Sequence, residues 1–180
     1  MRVAVTGTPG TGKTTATELL ESRLDAGVER FDGEFAVVHV GELLEAEELY
    51  TDVDDERGSK VADLEALVDR LDGLDDVVIE SHLAHHVPVD RVAVLRCEPT
   101  TLETRLLERG EPDQKARENA ESEALDVILA EAVERHGRES VYEIDTTDRD
   151  PTSVAANLEA VVAGEREPSA GEVDFVGYLE

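Results

Sequence analysis

Tryptophan is absent from this 180-residue chain, tyrosine and phenylalanine occur three times each, and cysteine and methionine once each. So few aromatic rings leave little with which to stack unpaired bases, and recognition of single-stranded nucleic acid by stacking is not expected. The single cysteine, Cys97, excludes an intrachain disulfide and a metal site built from several thiolates. It follows an apolar run and reads as small core filler. No apolar stretch approaches the roughly eighteen residues that a membrane helix needs. The N-terminus runs directly into a strand pattern, so no secretory leader is expected. The expectation is a cytoplasmic protein with no membrane partner. Lysine is scarce as well, at Lys13, Lys60 and Lys115.

Acid is what the chain has in excess. Forty-four Asp and Glu stand against seventeen Lys and Arg, for a formal net charge of −27. A surface of this sign repels phosphate backbones at long range, so direct nucleic-acid binding is not expected. The acids are spread over nearly every segment rather than gathered into one tail. That diffuse pattern fits adaptation to concentrated salt, where charge is screened over a few ångströms. The alternative is an acidic face for a basic partner.

Apolar strand-length runs alternate with helical periodicity along the chain. Arg2–Thr6, Phe35–Val40, Asp76–Glu80, Arg91–Arg96 and Val141–Asp145 read as strands. Helices are expected over Lys13–Ala26, Gly41–Tyr50, from a Ser59 cap to Gly73, over Pro99–Arg109, and from Pro151, capped by Asp150, to Gly164. One long helix is expected over Asp113–His136, with Ala120, Ala124, Val127 and Ile128 facing inward, and a loop over Asp52–Arg57. This alternation predicts an α/β fold: a five-stranded, parallel, doubly wound sheet with helices on both faces. Residues 1–164 form the domain. The tail, 165–180, is rich in Glu, Pro, Ser and Gly and is expected to lack regular structure, but its last eight residues carry Phe175, Tyr178 and Leu179, a cluster that suggests packing on the domain, with a docking segment or disorder as the alternatives.

One stretch carries chemistry. Gly7-Thr8-Pro9-Gly10-Thr11-Gly12-Lys13-Thr14 has the Walker A pattern, with a strand before it and a helix after it. Gly7, Gly10 and Gly12 let the backbone curl so that its N–H groups converge on phosphate oxygens. The helix N-terminus adds partial positive charge. Lys13 is placed to reach the β- and γ-phosphates of ATP, the Thr14 hydroxyl to bind Mg²⁺, and Thr15 to reach the α-phosphate. Glu80, closing the run Val77-Val78-Ile79, is the candidate acid that holds the metal through water. His82, His85 and His86 lie close by, but their spacing matches no common zinc pattern. Arg96, Arg105, Arg109 and Arg117 are candidates to hold charge on a transferring phosphoryl group, against the alternative of salt bridges to abundant acids.

With these residues in place, the chain resembles the adenylate kinases shared by archaea and eukaryotes, the nuclear isoenzyme-six type. The match rests on GTPGTGKTT, on GELL…EELY with its acidic successor, on the triplet Glu80-Ser81-His82, and on VLRCEPTTLETRLLERG, and it runs from residue 1 to about residue 163. The resemblance implies a P-loop NTPase fold of the adenylate-kinase kind. Gly10, Gly12, Lys13, Thr14 and Thr15 would bind ATP, and Arg109 would contact it. A monophosphate-binding region would span about residues 39–62 and a lid about 108–118. Glu80 and His82 would form a pair linked to metal binding and ATP hydrolysis. The activity implied is transfer of the ATP γ-phosphoryl group to AMP or another nucleoside monophosphate. An associated ATPase and a part in maturation of the small ribosomal subunit, through one of its proteins, are also implied. Two features depart from the pattern: the triplet begins with Glu rather than Asp, and no arginine lies between Gly41 and Glu56. An AMP phosphate would then fall to Arg96 or Arg57. An ATPase assembly factor and a kinase for another small molecule are the rival readings.

Overall fold

The computed structural model describes residues 1–25, 35–54 and 59–179. Five strands form one parallel sheet: β1 (Arg2–Thr6), β2 (Ala36–His39), β5 (Val77–Glu80), β6 (Arg91–Arg96) and β7 (Val141–Asp145), in the spatial order β2-β5-β1-β6-β7. Side chains alternate along the strands and so build two cores, one on each face. Val3, Val5, Val78, Ala93, Leu95 and Ile144 point to one side. There they meet Ala16 and Leu20 of α1 (Lys13–Asp25) and Val154, Leu158, Val161 and Val162 of α7 (Pro151–Ala163). Ala4, Val77, Ile79, Val92, Val94 and Val141 point to the other, against α2 (Val40–Glu47), α3 (Leu64–Leu71) and α6 (Val127–His136). The expected doubly wound α/β architecture is therefore the one observed.

Three local expectations are corrected. The acidic stretch is not a simple loop: Tyr50–Asp54 (β3) pairs antiparallel with Ser59–Ala62 (β4) as a separate two-stranded ribbon. Ser59 therefore caps no helix. The cap is Asp63, whose carboxylate accepts the Ala66 N–H at 3.0 Å, and Val61, expected on a helix face, is 48 % exposed on the ribbon. The long helix is broken in two, α5 (Asp113–Ala124) and α6, with Asp126 at the break in a left-handed conformation, φ 55°. The break turns Val127 outward, to 38 % exposure. The expected end of α1 at Ala26–Gly27 and the candidate Arg57 lie outside the described residues. No described helix is long and apolar enough to cross a membrane.

The remaining helix, α4 (Pro99–Glu108), lies close to α5 and is capped by Glu98, which accepts the Thr100 and Thr101 N–H groups at 3.1 and 2.7 Å. Cys97, Leu102, Leu106 and Ala116 make a third small core beneath the glycine-rich loop. Cys97 is fully buried and its thiol is pushed up to about 11, chiefly by that burial, so it is inert filler.

Candidate nucleotide site

The loop between β1 and α1 is shaped by close approach. At Gly7 φ is 140°, and a β-carbon there would sit 2.4 Å from the Leu95 carbonyl oxygen of β6. At Gly10 φ is 93°, and a β-carbon would press on Leu102 and Leu106 of α4. Only glycine fits both positions. Thr8 holds the turn from within. Its carbonyl accepts from the Thr11 hydroxyl at 2.9 Å and from Lys13 Nζ at 3.1 Å, and Lys13 also donates to the Gly7 carbonyl at 2.8 Å.

Lys13 is 8 % exposed. Burial, opposed by Glu80 and Glu123 and reinforced by nearby Arg109, brings its ammonium down to about 8. Two adjoining hollows share Gly10, Gly12, Thr15 and Arg109. The smaller, about 70 Å³, is closed by Lys13 and Thr14. The larger, about 250 Å³, adds Ala16, Pro151 and Val154 as an apolar wall, with Arg105, Thr146 and Arg149 at its polar edge. A polar pocket of amides and cations opening into a half-apolar one matches a polyphosphate joined to a nucleoside.

Glu80 ends β5 at the sheet's C-terminal edge, where parallel α/β sheets place ligands. It is 7 % exposed, and its Oε2 lies 3.0 Å from His39 Nδ1. The β2–β5 register sets His39 directly beside it. The exposed Thr14 hydroxyl and the Glu80 carboxylate are oxygen donors of the kind a hard cation such as Mg²⁺ takes. His82 is exposed, and its ring makes no hydrogen bond among the described residues. The surrounding protein and then the Lys13 charge push its imidazole down to about 4, so it is neutral at physiological pH. His85, by contrast, is buried, its Nδ1 3.0 Å from Thr6 Oγ1 and its Nε2 2.8 Å from Glu131. His86 and that same carboxylate lie close by, but both His85 ring nitrogens already have partners.

The four candidate arginines separate. Arg109 lines both hollows and Arg105 the larger. Arg96 is 1 % exposed and bound to Glu123, Asp126 and Glu143, so it is not available to an AMP phosphate. Arg117 lies on the surface, paired with Glu121 one turn away at 3.1 Å. Four contributors escaped the sequence reading: Thr8, His39, Glu123 and Arg149. The His39 contact follows from strand register, which the matching ends of two buried runs could have suggested. Glu123 carried no signal among forty-four acids.

The chain is similar to known proteins over most of its length. A family model described as an AAA domain matches residues 3–126. A protein of Natronomonas pharaonis named "Putative adenylate kinase" is 59 % identical over 179 residues, covering 99 % of this chain and all of that one. One of the same name from Halobacterium salinarum is 55 % identical over 180 residues, with 99 % and 100 % coverage. Another, from Methanothermobacter thermautotrophicus, is 42 % identical over 181 residues, covering 98 % of each chain. Among solved structures, shikimate kinase from Bacteroides thetaiotaomicron aligns with a TM-score of 0.58 at 17 % identity, covering 90 % of this chain and 98 % of that one. A gluconokinase from Sinorhizobium meliloti aligns at 0.52 and 14 %, with 91 % and 92 % coverage. At these identities the structural likeness speaks for the fold, that of P-loop kinases.

Proposed function

The chain belongs to the archaeal adenylate kinase family represented by these relatives, and from that membership we propose that it transfers the γ-phosphoryl group of ATP to a nucleoside monophosphate, AMP first. The observation that carries the reading is the pair of joined hollows, with Lys13 and Arg109 at the phosphate end and the Val154 wall at the nucleoside end.

Phosphoryl transfer needs alignment and charge neutralisation more than covalent chemistry. Gly10, Gly12, Thr14 and Thr15 present the loop and helix start to the polyphosphate. Lys13 exchanges its carbonyl partners for phosphate oxygens. Arg109, at the C-terminus of α4, would neutralise charge that builds on the moving group. Thr14 and Glu80, the latter oriented by His39, would hold Mg²⁺, which when bound neutralises the β- and γ-oxygens. Residues from about 108 to 118 form a lid that excludes water, and those from about 39 to 62 receive the monophosphate.

A second reading is favoured by one feature, the lack of arginine between Gly41 and Glu56. An ATPase would use the same donor site, with His82, neutral and exposed, ordering water. Binding and hydrolysis would then switch the grip of an acidic surface on a basic small-subunit ribosomal protein. Product analysis in concentrated KCl with ATP and Mg²⁺, with and without AMP, separates the two. ADP formed at twice the AMP consumed identifies the kinase. Free phosphate released at a rate indifferent to AMP identifies the ATPase. Turnover with UMP or CMP alone reassigns the acceptor.

A further inference from the structure

No residue of the C-terminal segment lines either hollow, yet a continuous chain of buried polar contacts joins it to the phosphate loop. Glu143 of β7, 1 % exposed, is the outer link. Its Oε2 accepts three consecutive N–H groups, from Gly171 at 2.6 Å, Glu172 at 2.8 Å and Val173 at 3.3 Å. Gly171 has φ 89°, the conformation that lets successive amides converge on one anion. Oε1 of Glu143 accepts from Arg96 at 2.5 Å, and Phe175 lies with its ring 5.5 Å from the same guanidinium. Arg96 Nε donates to Glu123 Oε1 at 2.7 Å, which also takes the Cys97 N–H at 3.1 Å. The other oxygen of Glu123 accepts the hydroxyl of Thr8, whose carbonyl holds Lys13.

The charge balance shows why the segment matters. One cation, Arg96, faces three carboxylates: Glu123, 3 % exposed; Glu143, 1 % exposed; and the partly exposed Asp126. A buried anion without partners is costly, and the excess negative charge is met by amide dipoles that residues 171–173 supply. Without them Glu143 competes harder for Arg96, and Arg96 loosens its hold on Glu123. The Thr8 hydroxyl then loses its fixed partner.

We propose that Glu123, Arg96 and Glu143 are positioning residues that transmit the docking of residues 169–178 to the phosphate loop, so that the C-terminal segment sets ATP affinity without touching ATP. This rests on the nucleotide-site reading above. The relay acts on the donor side alone.

The test is calorimetric titration of ATP·Mg²⁺ in concentrated KCl into the unaltered chain and one ending at Glu167, with steady-state KM for ATP and AMP alongside. The relay requires the ATP Kd to rise by about three- to thirtyfold in the shortened chain. KM for AMP should stay in place, whereas general loosening of the fold would shift both. Should the shortened chain not fold, Phe175→Ala, Thr8→Val and their combination decide. Phe175→Ala should weaken ATP binding in the native background and have no further effect once Thr8 is Val. Additive effects overturn the relay, as does an unchanged Kd in the folded, shortened chain. No ATP binding by the unaltered protein would instead overturn the nucleotide reading itself, and the relay with it.

Discussion

The two sides of the cleft are built differently. In the region proposed to hold the triphosphate the loop is wedged between β6 and α4, Lys13 is buried and holds two carbonyls of the loop, and Glu123 of α5 holds the Thr8 hydroxyl. The region proposed to receive the monophosphate, α2 with the β3–β4 ribbon, is more open, with Glu42 and Glu45 exposed and Val61 half open. A polyphosphate demands a fixed array of donors, and that array has to be rigid before the ligand arrives. An acceptor region that closes over a second substrate must keep a lower local stability. The contrast is one of preorganisation against adaptability.

The comparison breaks first at Lys13. Lys13→Ala should cut kcat by about three orders of magnitude while the fold is kept, as circular dichroism would verify; substantial retained turnover would remove Lys13 from the chemistry. Leu20→Ala, in the core behind the loop, should cost about 2–5 kcal/mol in denaturant unfolding at high KCl, whereas Val61→Ala on the ribbon should stay within about 0.5 kcal/mol. Equal costs would show that the two sides do not differ. Arg109→Ala should lower kcat by about a hundredfold and leave the thermal midpoint where it was, Arg109 being exposed and making no contact that the fold needs.

The smallest effect is in pH. Lys13 in the free protein loses its proton near pH 8, and ATP, a polyanion, favours the protonated form. Its pKa is therefore lower free than bound, and affinity should fall as pH rises through about 8, by at most about tenfold per pH unit. Titration near pH 8 in buffers of different ionisation enthalpy should show a fraction of a proton taken up. A flat profile from pH 7 to 9 would mean that the ammonium keeps its proton in the free protein.

The same contrast governs what the sequence revealed. β1, β5 and β6 are short runs rich in Val, Ile, Leu and Ala and buried almost throughout, so composition marks them, and the more open strand β2 keeps the apolar run Ala36-Val37-Val38. The phosphate loop is specified within eight consecutive residues. The ribbon escaped because Thr51-Asp52-Val53-Asp54 looks like solvated loop and its pairing is set by a partner strand. The helix break at Asp126 escaped because what anchors that carboxylate is Arg96, thirty positions away. Arg96 and Glu123 read as one cation and one acid among many until packing put them together, and the Arg96 expectation failed for that reason.

Lys13 comes to its substrate already occupied. Its ammonium is stowed on two carbonyls of its own loop, so an arriving phosphate competes with an internal ligand instead of filling a vacancy. The net attraction is the difference between two sets of bonds, which damps the capture of stray small anions in a crowded, salty solution. On the proposed reading, a ligand long enough to engage the loop amides, a Mg²⁺ held by Thr14 and Glu80, and Arg109 together would displace the tether, and chain length of the polyphosphate would become a filter.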